Sequence, residues 1–178
     1  MKRIPVSVLG ATGMVGQRFI QLLDQHPLFR VEELAASERS AGKTYGQACR
    51  WLLPEPMPEA VRDKQILPVG ADFQSDILFS ALPGSAAGEM ESALANRGYR
   101  VLSNASAHRM DPDVPLLIPE INPDHTALIR TQPSFKNGGF IVTSANCCTT
   151  ILVLALKPLH EAFTIRQLSL VTMQAVSG

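Results

Sequence analysis

Cysteine is scarce in this chain: three in 178 residues, two of them adjacent at Cys147 and Cys148. Three cysteines build no disulfide framework, and sequence neighbours rarely bridge because the ring strains the peptide between them. A reducing, cytoplasmic compartment is therefore expected. Cys49 and the adjacent pair also lack zinc-ligand spacing, so no metal site is expected. An excess of charge is missing too. Sixteen basic and sixteen acidic residues cancel, so nothing in the total asks for a polyanion and no nucleic-acid partner is expected. No apolar run has the length to span a bilayer, which argues against a membrane partner. The opening MKRIPVSVLGATGMVG has too short an apolar run for a signal peptide and leads straight into a glycine motif. Internal repeats and low-complexity tracts are absent.

What is present is enough apolar sequence, 46%, to bury a core in one ordinary domain or one and a fraction. Short β-branched and aromatic runs predict strands at 4–9, 30–36, 76–80, 99–102, 116–118 and 140–143. Between them, helices are expected at about 15–25, with Phe19, Ile20, Leu22 and Leu23 as the buried stripe, and at 85–97, with Gly98 just past the end. A third should open at Asn122-Pro123, with Asn as cap. A fourth should run from 149 until Pro158 stops or kinks it. Three prolines make 45–67 mostly irregular, and 163–176 reads as a last β-rich run. Strands alternating with helices give an α/β, Rossmann-type, doubly wound and mostly parallel sheet. In such sheets ligands sit beyond the carboxyl ends of the strands. Gly, Ser, Asn and Arg collect at those ends here: 10–16, 37–40, 80–84, 103–109 and 144–148.

Four of these clusters carry chemistry. Gly10-x-x-Gly13-x-x-Gly16 follows the first strand and opens a helix. The first glycine allows a tight turn, the second lets the backbone approach a pyrophosphate, and the third lets helix and strand pack closely. Ser37-Glu38-Arg39-Ser40 begins 21 residues after Gly16. An acid there suits a ribose diol. Arg39 between two hydroxyls, with Lys43 near, suits a 2′-phosphate better, provided Glu38 points outward. Arg109, beyond a strand end, fits a phosphate or carboxylate clamp, or else a surface pair with Asp111 or Asp113. His108 beside it reads as an exposed loop histidine. Asn146-Cys147-Cys148 stands at a strand-to-helix turn, and a helix N-terminus favours negative charge on a sulfur. A thiolate there can attack an activated acyl carbon while Asn146 orients the substrate or stabilises an oxyanion. Spacing alone does not choose between Cys147 and Cys148.

Taken together and in order, LGATGMVGQRF, ASERSAGK, SNASAHRMDPDVPLLIPEINPDH, SANCCTT and TMQAVSG resemble the aspartate-β-semialdehyde dehydrogenase family, in the branch typical of archaea and fungi. The resemblance implies NADPH-dependent reductive dephosphorylation of L-4-aspartyl phosphate to aspartate 4-semialdehyde, a precursor of lysine, threonine and methionine. It selects Cys147 as the nucleophile that forms a thioester, with Asn146 beside it and Gln174 positioning the acyl group. Arg109 matches the phosphate-binding arginine, with Asn104 near it. Gly10, Thr12, Gly13, Met14 and Val15 match the pyrophosphate loop, and Ser37, Arg39 and Ser40 the 2′-phosphate pocket. Ser80, Leu82, Ser177 and Gly178 are expected on the cofactor side. Cys148 departs from the Ser or Thr usual in the family.

Family members run on for about as long again, so the sequence is expected to be the N-terminal part of such an enzyme. Residues 1–146 would be the NADP-binding domain and 147–178 the start of a catalytic and dimerisation domain. The catalytic histidine and most of the surface that makes the family dimeric or tetrameric would lie in the other half. Malonyl-CoA reductase shares the chemistry and is the alternative. N-acetyl-glutamyl-phosphate reductase is a weaker one. A non-catalytic NADP-binding module is the reading from another class.

Overall fold

A computed structural model describes residues 2–173. Gln174, Ser177 and Gly178, expected at the site, lie outside the described residues.

The first apolar run forms β1 (Ile4–Leu9), in which Val6, Val8 and Leu9 are fully buried. Burial of neighbouring residues on both faces is the mark of a parallel sheet covered on each side. α1 (Met14–Asp24) turns Gly16, Gln17, Ile20 and Leu23 inward. Leu22 was expected in that stripe but falls on the far side of the helix and is 63% exposed. Phe19 instead packs its ring 5.4 Å from that of Phe79. β2 (Phe29–Ala36) then pairs in parallel with β1.

Residues 45–67 are more regular than their prolines suggest. They contain two single-turn helices, α2 (Tyr45–Ala48) and α3 (Glu59–Arg62), and lead into an edge strand, β3 (Ile66–Pro68), parallel to β2. The chain then crosses back to β4 (Ile77–Ser80), on the other side of β1. α4 (Gly84–Asn96) ends at Arg97, and Gly98 takes the left-handed conformation, φ +98°, that the sequence suggested. β5 (Arg100–Ser103), β6 (Leu116–Leu117) and β7 (Phe140–Ser144) complete seven parallel strands in the order β3-β2-β1-β4-β5-β7-β6. One apolar cluster, with Leu78, Leu94 and Val101, fills the α4 face. Another, with Val8, Ile20, Leu34 and Ile66, fills the α1 face. The sheet reverses its winding between β1 and β4, so the carboxyl ends of those two strands frame its natural ligand crevice.

Three further expectations need correction. The segment after Asn122 is 3₁₀, over Pro123–Thr131 and Pro133–Asn137. Asn122 does not cap it, because its side chain bridges the Leu116 carbonyl and the Ile118 N–H. α5 (Cys147–Phe163) runs through Pro158, so of the two outcomes expected there the stop does not occur. None of its residues is buried, so water can serve the carbonyl that loses its N–H donor. Residues 164–173 form no strand. β-Prone composition makes a strand only against a ladder partner, and no described strand pairs with them.

Glu33 is a structural anchor that the pattern of the strand hid. Its carboxylate accepts Ser7 Oγ at 2.8 Å and the N–H groups of Gln74 and Ser75 at 3.0 and 3.2 Å, tying the β4 approach to β1 and β2. Glu33→Ala is expected to cost about 2–3 kcal/mol by orphaning these donors. The midpoint of urea unfolding reads this, and an unchanged midpoint would contradict it.

Candidate active site

The glycine turn lies at the switch point. Gly10 has φ +71°, and a Cβ there would stand 2.8 Å from the Ala81 carbonyl carbon. A Cβ on Gly16 would stand 2.8 Å from the Ala11 Cα. Both glycines are therefore required by backbone contacts within the protein. Gly13 differs. Its φ is −77°, and a Cβ would meet only the Gly10 carbonyl oxygen, at 3.4 Å. The protein leaves that space open, as close approach of a ligand requires. No side chain caps α1, and Met14 and Val15 at its start are exposed. Its first-turn N–H groups are thus presented to an anion.

A cleft of about 330 Å³ opens beside this turn, lined among others by Gly10, Thr12, Gly13, Ser37, Leu82 and Pro83. Leu82 is on its wall. Ser80 is not: it is fully buried, and its hydroxyl donates at 2.5 Å to Glu91. Alternation along β4 turns Ser80 into the layer under α4, and Ala81 takes its place on the cleft wall.

The 37–43 loop enters the cleft wall at Ser37. The N–H groups of Ser40 and Ala41 both donate to the Ser37 carbonyl, at 2.8 and 3.1 Å, making one helical turn. β3 holds the loop from below. Gly42, at φ +81°, donates to the Ile66 carbonyl at 2.8 Å, and Ile66 donates to the Lys43 carbonyl at 2.9 Å. Ser37, Glu38 and Arg39 are exposed. Arg39 makes no hydrogen bond or ion pair among the described residues, so its guanidinium is available. The edge strand that positions this loop gave no sequence signal beyond three residues after a proline-rich stretch.

The second half of the site gathers at the carboxyl ends of β5 and β7. Arg109 donates from Nε to the Ser144 carbonyl and from a terminal nitrogen to the Asn104 carbonyl, each at 3.0 Å. It is held by the two strand ends and not by Asp111. Two of its donor directions are used, and the rest of the fork remains for an anion. Ser144 Oγ donates to Asn104 Oδ1 at 3.0 Å, which leaves the Asn104 amide nitrogen as a donor. Two residues after Ser144, Asn146 caps α5, accepting the N–H groups of Cys148 at 2.9 Å and Thr149 at 3.3 Å. Cys147 is exposed at the first helical position, and Cys148 is half-buried.

His108 is not the exposed loop residue expected. It is 7% exposed. Nδ1 lies 2.7 Å from Asp111 Oδ2, and Nε2 lies 3.1 Å from the Gly88 carbonyl and 3.9 Å from Glu91 Oε2. Glu91 also accepts Ser103 Oγ at 2.8 Å. This buried polar group, spanning α4, β4, β5 and the Arg109 loop, was invisible in sequence because its members are far apart. Among the described residues no three of His, Cys, Asp and Glu cluster to hold a metal ion, and no helix is long and apolar enough to cross a membrane.

Together the open space at Gly13, the uncapped start of α1 and the available Arg39 fit a phosphate-bearing dinucleotide. Residues 5–129 match the family model described as "Semialdehyde dehydrogenase, NAD binding domain". An aspartate-semialdehyde dehydrogenase of Methanothermobacter thermautotrophicus is 54% identical over 178 residues, covering 98% of this chain and 51% of that protein. The malonyl CoA reductase (NADP) of Metallosphaera sedula is 36% identical over 180 residues, covering 99% of this chain and 50% of that protein. The crystal structure of aspartate semialdehyde dehydrogenase with NADP from Candida albicans superposes with a TM-score of 0.83 at 39% identity, over 92% of this chain and 48% of that one. The chain spans about half the length of the curated relatives it matches.

Proposed function

Since the chain belongs to the semialdehyde dehydrogenase family and carries its NAD-binding domain, we propose that it is the dinucleotide-binding part of an aspartate-semialdehyde dehydrogenase using NADP(H). The observation that carries this reading is the convergence of Arg109, Asn104, Asn146 and Cys147 on the ends of β5 and β7, with β5 paired to β4, the strand that leads into the cleft wall at Ala81 and Leu82. The substrate is L-4-aspartyl phosphate and the product L-aspartate 4-semialdehyde, a precursor of lysine, threonine and methionine made in the cytoplasm.

Gly10, Thr12, Gly13, Met14 and Val15 would hold the pyrophosphate, and Ser37, Arg39 and Ser40 the 2′-phosphate, with Leu82 on the cleft wall. When bound, the dinucleotide supplies hydride to the acyl carbon. The residues of this chain are proposed to take the following parts. Arg109, with the Asn104 amide, grips the substrate phosphate. Cys147 Sγ bonds to the acyl carbon, and the bond from that carbon to the phosphate oxygen breaks, leaving a thioester. Asn146, anchored by its cap bonds, orients the acyl group, and Gln174 takes the same role from outside the described residues. After reduction, the carbon–sulfur bond breaks to release the aldehyde. His108 is enclosed by Glu91, Gly88 and Asp111, so it is not the proton carrier at Cys147. We place the end of the dinucleotide domain at Asn146 and the start of a catalytic and dimerisation domain at Cys147. The assembled enzyme is proposed to be a homo-oligomer.

The malonyl CoA reductase relative supports a second reading with the same nucleophile and a coenzyme A leaving group. Intact-mass spectrometry of the chain separates the two, since aspartyl phosphate and malonyl-CoA leave adducts of different mass. An aspartyl adduct is expected, and a malonyl adduct alone would overturn the substrate assignment. For the dinucleotide, Arg39→Ala should weaken NADPH binding by about tenfold or more while NADH changes by less than about twofold. Fluorescence titration reads both, and equal losses would count against the 2′-phosphate role.

A further inference from the structure

Given that cleft as a dinucleotide site, we infer that Tyr45 and Gln17 are positioning residues that hold the glycine turn from behind, and that Tyr45 couples this turn to the 37–44 loop. Both side chains are fully buried. Tyr45 Oη donates to the Ala11 carbonyl at 2.8 Å. Gln17 Nε2 donates to the Thr12 carbonyl at 3.0 Å and the Arg50 carbonyl at 3.1 Å, and Gln17 Oε1 accepts the Leu52 N–H at 2.7 Å. Two consecutive carbonyls of the turn are thus tied to residues 45–52.

A trans peptide sets its N–H opposite its C=O. Fixing the Ala11 carbonyl therefore aims the Thr12 N–H away from Tyr45, and Thr12 lines the cleft. Fixing the Thr12 carbonyl aims the Gly13 N–H oppositely, where it meets the Gly10 carbonyl at 3.0 Å. The turn is in this way set before any ligand arrives, and a ligand gains affinity because it need not order the turn. Burial, and secondarily the Cys49 thiol beside it, push the Tyr45 phenol well above its ordinary range, so it remains a donor.

Tyr45 has a second attachment. It directly follows the 37–44 loop, and its own N–H donates to the Lys64 carbonyl at 2.9 Å, two residues before Ile66, whose backbone pins Gly42 and Lys43. The loop that carries Arg39 and the turn that carries Gly13 are therefore braced through one side chain. An apolar ring of equal size would fill the same space among Val8, Ile20 and Leu34. What the hydroxyl adds is the fixed direction of one peptide.

The test is NADPH titration of this chain, by fluorescence, in Tyr45→Phe and Gln17→Met, with thermal unfolding in parallel and Glu33→Gln as a control for stability loss. Tyr45→Phe is expected to weaken NADPH by about fivefold or more, beyond any change in the control at equal loss of Tm. The coupling appears in the double variant. Arg39→Ala should weaken NADPH less in the Tyr45→Phe background than in wild type. NADPH affinity within about twofold of wild type in folded Tyr45→Phe and Gln17→Met would overturn the inference and leave the dinucleotide site standing. A wild-type chain that does not bind NADPH would overturn both.

Discussion

Gly13→Ala is expected to leave the domain folded and remove most of its affinity for NADPH, whereas Gly16→Ala is expected to damage the fold itself. The two glycines are three residues apart in one motif, and the difference lies in what surrounds them. At Gly16 an added Cβ would meet the Ala11 Cα at 2.8 Å and the Gly10 carbonyl carbon at 2.9 Å. These are backbone atoms of the turn that β1 and α1 share, and they have nowhere to go. Overpacking of that kind costs about 3 kcal/mol or more, or about 6–12 °C in Tm for a domain of this size. At Gly13 the backbone is in a conformation open to alanine, and the one neighbour lies at ordinary contact distance. Exchanging Gly for Ala at the cap of α1 costs about 1 kcal/mol or less. The added methyl points into the space assigned to the pyrophosphate. Affinity should fall by about thirtyfold or more, since backbone N–H contacts to a charged oxygen are worth roughly 1.5–3 kcal/mol each. Normal NADPH binding by Gly13→Ala would place the phosphates elsewhere.

Cys147→Ser is expected to slow acylation by aspartyl phosphate by at least about 10³-fold, and Cys148→Ser to leave it near wild type. Asn146 takes the N–H groups of Cys148 and Thr149 into its cap. Cys147 directly follows the capping residue, at the first helical position, and is exposed. Cys148 lies one residue further round the helix and is half-buried. A hydroxyl at 147 is a far weaker nucleophile than a thiolate. Rates of adduct formation by mass spectrometry distinguish the variants, and loss of the adduct only in Cys148→Ser would reverse the assignment.

The parts of this fold legible in sequence are those where local signal and tertiary role agree. β1, the glycine turn, α1 and β2 each carry their own pattern, and so do β7 and the start of α5. β3 carries none: Ile66, Leu67 and Pro68 become a strand because β2 offers them a ladder. The apolar residues 164–173 teach the converse, since β propensity without a partner makes no strand. Of the stop or kink expected at Pro158, the stop does not occur, because a proline ends a helix only where its lost bond cannot be replaced. At the proposed site, Arg109, the Asn146-Cys147-Cys148 turn and the 37–40 loop stood out because polar residues collect at the strand ends, while the choice of Cys147 came from the family resemblance and not from spacing. Ser80 was misplaced by half a strand period. His108, Glu91, Gln17 and Tyr45 were missed because the contacts that bury them include partners remote in sequence, such as Gly88 for His108, Arg50 for Gln17 and Ala11 for Tyr45. A buried glutamine three residues before a buried isoleucine looks like part of a polar helix face until the Thr12 and Arg50 carbonyls are seen around it.

The most direct test of the central claim is an NMR titration of the ¹⁵N-labelled chain with NADPH. Amide shifts are expected to concentrate at residues 10–15, 37–40 and 82–86, around the cleft at the β1/β4 switch point. Shifts confined to the groove near Ile121, Val153 and Leu156, or no shifts at all, would contradict that placement.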